Sequence, residues 1–223
     1  MPSLLTLDEV ETMFHEFGHA LHGMLTKCNY KGVSGTSVAQ DFVELPSQIM
    51  EHWAVEPEVL KLYAKHYETR EVIPDELITK NPKSGYFLIK VFMTTELLAA
   101  ALLDMELHNL TDTENLNVVA FEKETMDKLG LIPEIAPRYR ATYFSHIIGG
   151  YAAGYYSYLW AEVLDTDAFE AFKEHGVFDK NTADSFRKNI LEKGGTEDPM
   201  TLYRGFRGAD PSLEPLLKNR GLK

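Results

Sequence analysis

The chain has 223 residues, enough to bury a substantial core in one domain or two small ones, and its 44% hydrophobic content suits a globular protein. A net charge of −12, with no basic run longer than a pair, argues against nucleic acid as a partner, because neutralising phosphates takes clustered Lys and Arg. The single cysteine, Cys28, excludes an internal disulfide and reads as a small buried residue, and no window of about 18 apolar residues suggests a membrane span.

The first residues carry Asp8, Glu9 and Glu11 instead of the basic and apolar runs of a secretory leader, so the expected compartment is the cytoplasm. From Asp8 through Lys27 the residues Val10, Met13, Phe14, Phe17, Leu21 and Met24/Leu25 recur at threes and fours. That period predicts an amphipathic helix, with Asp8 as its N-cap and Glu9 and Glu11 in the first turn, where the helix dipole favours anions. His15 and His19 are four apart on it, so they share one face and both imidazoles can reach a single metal ion. Glu16 sits beside them and can lean toward an open coordination position to take a proton from an attacking water. H-E-x-x-H on a helix is a signature of zinc peptidases. The competing reading is a surface helix whose His15, His19 and His22 merely face water.

Asn29 to Ser37 is rich in turn formers and predicts a loop or a short hairpin, whose edge could hold an extended peptide. Asp41 to Ala54 predicts a second helix capped by Asp41, with Phe42, Leu45, Ile49, Met50 and Trp53 on its buried face. Glu44 falls on its first turn, 25 residues after His19. Two histidines and one glutamate leave a fourth metal position for water, which is the catalytic arrangement rather than the structural one. Gln48 and Glu51 follow one and two turns later and are candidates to accept the second N–H of a metal-bound histidine.

Residues 56–83 predict two short helices joined by turns. Ser84 to Leu110 is the most apolar helical pattern, with Phe87, Val91, Phe92 and the run Leu97 to Leu103 as scaffold core. Asn115 to Leu129 predicts a helix stopped by Gly130, and Ile132 to Tyr143 an extended approach to the run Phe144 to Trp160. There, a helix beginning after Gly149-Gly150 would align Tyr151, Tyr155 and Tyr158 on one face. Such a stripe is usually core, but phenols want hydrogen-bond partners, and a tyrosine or an imidazolium such as His146 can serve a developing oxyanion. The last third predicts helices around Thr166 to His175, Ala183 to Lys193 and Met200 to Phe206. Arg204 and Arg207 there could bind a carboxylate but read more simply as surface residues.

Four separated stretches carry a resemblance over nearly the whole chain: Phe14 to His22, Asp41 to Gln48, Leu98 to Asp104, and the Gly-Tyr run ending Tyr158-Leu159-Trp160. In that order they resemble the C-terminal catalytic portion of the thimet oligopeptidase family, most closely its bacterial peptidyl-dipeptidase branch. The resemblance implies a mainly α fold: a multi-helix zincin-type metallopeptidase catalytic domain over residues 1–223, with at most a small β-hairpin. It implies one Zn2+ held by His15, His19 and Glu44, with Glu16 as general base. His146 and Tyr158 would be catalytic donors to the oxyanion, and Tyr151 and Tyr155 substrate contacts. The implied partners are short peptides, with neither nucleic acid nor membrane involved. The Ile148-Gly149-Gly150 run is closer to the oligopeptidases, so release of C-terminal dipeptides and internal cleavage both stay open, beside a non-catalytic peptide-binding helical domain. Family members are typically longer, with a large helical portion before the zinc helix, so the chain is expected to be part of a longer enzyme and to show weak or no turnover alone.

Overall fold

The computed structural model describes residues 3–79 and 83–223, and side chains throughout these except at residues 79 and 83–89, so the core role expected of Phe87 lies outside the described residues. The architecture is mainly α, as expected. In chain order the helices are α1 (Leu7–Leu25), α2 (Leu45–Val55), α3 (Pro57–Tyr63), α4 (Asp75–Thr79), α5 (Lys83–His108), α6 (Val118–Lys128), α7 (Ser157–His175), α8 (Lys180–Phe186), α9 (Pro199–Arg207) and α10 (Glu214–Asn219). Among the described residues β pairing is limited to one isolated antiparallel bridge, Lys65 to Val72. The stretch from Asn29 to Ser37 forms a short 3-10 turn at Lys31–Val33 instead of a hairpin. The Val33 carbonyl there accepts the Gly195 N–H at 2.8 Å, which ties this turn to the last third of the chain. No described helix is long and apolar enough to cross a membrane.

The chain divides into two compact units, one built from Met1–Pro82 with Ala161–Lys223 and the other from Lys83–Trp160. The first unit is closed by a core in which Phe42, Leu45 and Ile49 pack with Leu164, Phe169, Phe172, Ile190 and Leu202. Two polar pairs are buried beside that core: the Tyr203 hydroxyl donates to Asp167 at 2.6 Å, and His52 Nε2 lies 2.7 Å from Asp165. Burial raises the Asp165 carboxyl to about 7, with His52 opposing that rise. Cys28 is structural, its thiol donating to the Lys193 carbonyl at 3.1 Å.

Several helix limits differ from the sequence expectation for identifiable reasons. Helix α1 is capped by Thr6, not Asp8, because Thr6 and Glu9 form a reciprocal capping box. Its fully buried residues are Gly18 and His22; of the apolar stripe, Leu21 and Leu25 pack against the core while Met13, Phe17 and Met24 lie outward, so only part of the stripe forms the buried face. Helix α2 begins at Leu45 after a turn at residues 41–44, with Pro46 in its first turn, where a missing N–H costs nothing. The expected 183–193 helix is α8 followed by a π turn at Arg187–Leu191. Helix α10 had no counterpart in the sequence expectation.

The second unit holds a smaller core of Ala100, Ala101, Phe144, Ile147 and Tyr155, with Tyr139 and Tyr158 packed against it. Helix α6 ends as expected, with Gly130 in the left-handed region at φ 70°. Its buried Glu122 binds Arg140 and accepts the Ala141 N–H at 2.8 Å, which ties down the approach to Phe144. The stretch after Gly149-Gly150 is a series of turns rather than a helix, and α7 begins only at Ser157. Ala153 marks the interruption, its φ of 53° being incompatible with a continuing right-handed helix.

Candidate metal centre

Helix α1 meets α2 at Gly18. A Cβ built there would stand 2.2 Å from the Pro46 carbonyl oxygen and 2.6 Å from the Ser47 Cα, so only glycine allows this approach. His15 and His19 flank the contact, and Glu44, the residue immediately before α2, faces them. Glu44 begins the helix with its carbonyl, which accepts the Gln48 N–H at 2.9 Å, while its side chain makes no capping bond. The residue is 2% exposed, so the carboxylate is held inside, on the side of the histidines.

Glu44 Oε2 lies 3.4 Å from His15 Nε2 and 3.3 Å from His19 Nε2. The imidazole rings are edge to face, 4.9 Å apart at 87°. His15 Nδ1 is 2.6 Å from Glu51 Oε1, two turns along α2 from Glu44, and Ser47 donates to Glu44 Oε2 at 2.8 Å. With Nδ1–H donated to Glu51, His15 Nε2 presents a lone pair toward the same point as the Glu44 oxygen. Nitrogen and oxygen ligands about 2.1 Å from a tetrahedral ion stand roughly 3.4 Å from each other, which is the spacing found here. The donor set therefore fits zinc: two imidazoles and one carboxylate, with the three ligand atoms within 4.8 Å of one another.

The electrostatics agree with that fit. Burial works to lower the His15 pKa, but the Glu51, Glu44 and Glu16 carboxylates outweigh it and leave the value raised, a field that also favours a cation. His22, one turn beyond His19, is fully buried, and neither ring nitrogen has a partner among the described residues. Burial, reinforced by His19, lowers it to about 4. This overturns the reading of three histidines facing water. Glu16 is exposed on the same helix.

The remaining expected site residues gather in the second unit. Half-buried His146 stands 6.0 Å from Tyr151, 5.2 Å from Tyr155 and 6.1 Å from Tyr158, ring centre to ring centre. Tyr151 stacks on Tyr158 at 5.0 Å. Tyr155 is 3% exposed and packs on Phe144 at 4.8 Å, and burial drives its phenol far above the ordinary value, so it stays protonated. Arg204 and Arg207 are already engaged, with Asp210 and with Glu174 and Asp167, which removes them as free carboxylate binders. Sequence reasoning passed over Gly18, Ser47 and Asp104. A glycine inside a well-capped helix costs about 1 kcal/mol, and that cost was the available sign of a close helix contact at Gly18.

Residues 1–222 match the sequence profile of peptidase family M3, and the chain belongs to that family. It is 46% identical to a dipeptidyl carboxypeptidase of Escherichia coli over 99% of its own length and 45% identical to oligopeptidase A of the same organism over 100%. A thimet-like oligopeptidase of Dictyostelium discoideum is 35% identical over 99% of the chain. The chain spans about a third, 33%, of the length of each of these curated relatives.

Proposed function

We propose that the chain carries the catalytic centre of a zinc-dependent peptidase acting on short oligopeptides in the cytoplasm. The observation that carries this reading is the convergence of His15, His19 and Glu44 on one point, with Glu51 fixing the His15 tautomer and Glu16 on the same helix. When bound, zinc would supply Lewis-acid polarisation of the scissile carbonyl and of the attacking water. Glu16 accepts the proton of that water and passes it to the leaving amine. Tyr158 and His146 are the proposed donors to the developing oxyanion, and Tyr151, with Tyr155 behind it, the proposed substrate contact. The aromatic packing around His146 supports these four acting as one group. Identities of 46% to a dipeptidyl carboxypeptidase and 45% to an oligopeptidase support release of C-terminal dipeptides and internal cleavage nearly equally.

The test uses a quenched fluorescent peptide and its C-terminally amidated twin. Glu16→Gln should retain one zinc per chain yet lose cleavage by a factor of at least about 100; full activity in that variant eliminates Glu16 as base. Resistance of the amidated twin assigns C-terminal dipeptide release, and equal cleavage assigns internal action. Absence of zinc from both the unsubstituted chain and His15→Ala returns the structural, non-catalytic reading.

A further inference from the structure

We infer that Asp104 is the positioning residue of the tyrosine loop: its buried carboxylate acts as an internal anion on which the segment from Gly149 to Tyr156 is folded. The inference rests on the proposed reading of that loop as the part that contacts substrate. Asp104 lies on α5 and is 0% exposed. Its Oδ1 accepts the Ala153 N–H at 2.9 Å and its Oδ2 accepts the Tyr155 N–H at 2.9 Å. One carboxylate thus holds the amides on either side of Gly154. Backbone turned through a left-handed residue presents N–H groups to a common anion, and Ala153, with φ 53°, is such a residue.

Ala153 is one of three non-glycine residues with positive φ among those described, and alanine does not choose that conformation unaided. The two charge-assisted bonds from Asp104 supply the compensation. His108, one turn further along α5, places Nδ1 2.8 Å from both the Asp104 carbonyl and Oδ1. With two amides and an imidazole around it and no exposed surface, the carboxylate cannot itself touch a peptide. Its influence passes through the backbone. Fixing residues 153 and 155 fixes the Tyr155 ring against Phe144 and His146, and the Tyr151 and Tyr158 pair packed around the same imidazole.

The experiment compares the unsubstituted chain, Asp104→Asn and the double variant Asp104→Asn with Ala153→Gly. Asparagine is nearly isosteric but turns an amino group toward one of the two N–H donors. Asp104→Asn should speed amide exchange at Ala153 and Tyr155 by at least ~10-fold, as expected for losing charge-assisted bonds, with zinc content unchanged. Peptide cleavage should fall mainly in kcat. Glycine takes the left-handed turn without cost, so the double variant should recover part of both the protection and the turnover. Ala153→Gly alone should raise the unfolding midpoint by ~2 °C, a readout that survives if Asp104→Asn fails to fold. Unchanged exchange at both amides in Asp104→Asn, or no recovery of protection in the double variant, overturns the anchor. A loosened loop with undiminished cleavage overturns the positioning role. If the unsubstituted chain cleaves no peptide and binds no zinc, the peptidase reading falls separately, while the exchange comparison still decides the anchor.

Discussion

Glu44 in the first unit and Asp104 in the second are both carboxylates withdrawn from solvent, 2% and 0% exposed, and their surroundings differ in kind. Asp104 is met by backbone N–H groups, donors the chain supplies permanently, so its charge is balanced from within and its effect is to hold a loop in place. Glu44 is met by one hydroxyl and by two imidazole nitrogens at 3.3 and 3.4 Å, one of which presents a lone pair because its ring partner donates to Glu51. Acceptor facing acceptor is a costly arrangement unless a proton or a metal ion lies between them. A buried carboxylate thus reads as structural or as ligating from the polarity of what it faces, more than from its depth.

The widest separation between the two should come from removing the Glu44 charge. Glu44→Gln is expected to weaken zinc binding on the order of a thousandfold, more than losing an outer partner of a metal ligand costs, while Asp104→Asn leaves it unchanged. Competition with a chromophoric chelator measures both; equal losses would dissolve the distinction. Next in size is the contact that lets Glu44 reach the histidines. Gly18→Ala forces a Cβ into the Pro46 carbonyl and should destabilise the fold by about 3 kcal/mol in urea unfolding, whereas Ala153→Gly should stabilise it. Unchanged stability in the Gly18→Ala variant would mean that α1 and α2 can separate freely.

The smallest effect concerns protons. The folded pKa of His22 is lowered to about 4, from 6.5, so the unfolded chain takes up a proton there over a range in which the folded chain does not. Its contribution is therefore intact above pH 6.5 and lost as the pH falls through 4, about 2 kcal/mol between pH 7 and 4.5. Asp165, raised to about 7 from 3.8, has the opposite sign: its contribution is intact below 3.8 and lost as the pH rises through 7. In zinc-free protein, His22→Leu should flatten the acid side of the stability profile. A profile as steep as before would assign the acid loss to other groups.

Much of the metal centre was legible because helical geometry is local. Four-residue spacing puts His15 and His19 on one face in any helix, and the second helix offered Glu44 and Glu51 with the same regularity; Glu51 became the partner of His15. Long-range contacts escaped. Tyr151, Tyr155 and Tyr158 follow a helical period, yet bonds from Asp104, far back in the sequence, pull the segment into turns. The loop at 29–37 has hairpin chemistry, but its carbonyl at Val33 is taken by Gly195 from the last third of the chain. Thr6 was passed over as a cap although its spacing to Glu9 is the capping-box signature.

The discontinuity of the first unit has a consequence for the order in which the molecule is made. Helices α1 and α2 precede the second unit in the chain, but the core residues that cover Phe42, Leu45 and Ile49 come from the stretch after Trp160. At about 5–20 residues per second, a ribosome needs several seconds to cross the contiguous second unit before those partners emerge. During that interval the histidine helix and its glutamate exist without the layer that closes over them, and Lys83–Trp160 is the stretch able to complete its own core first.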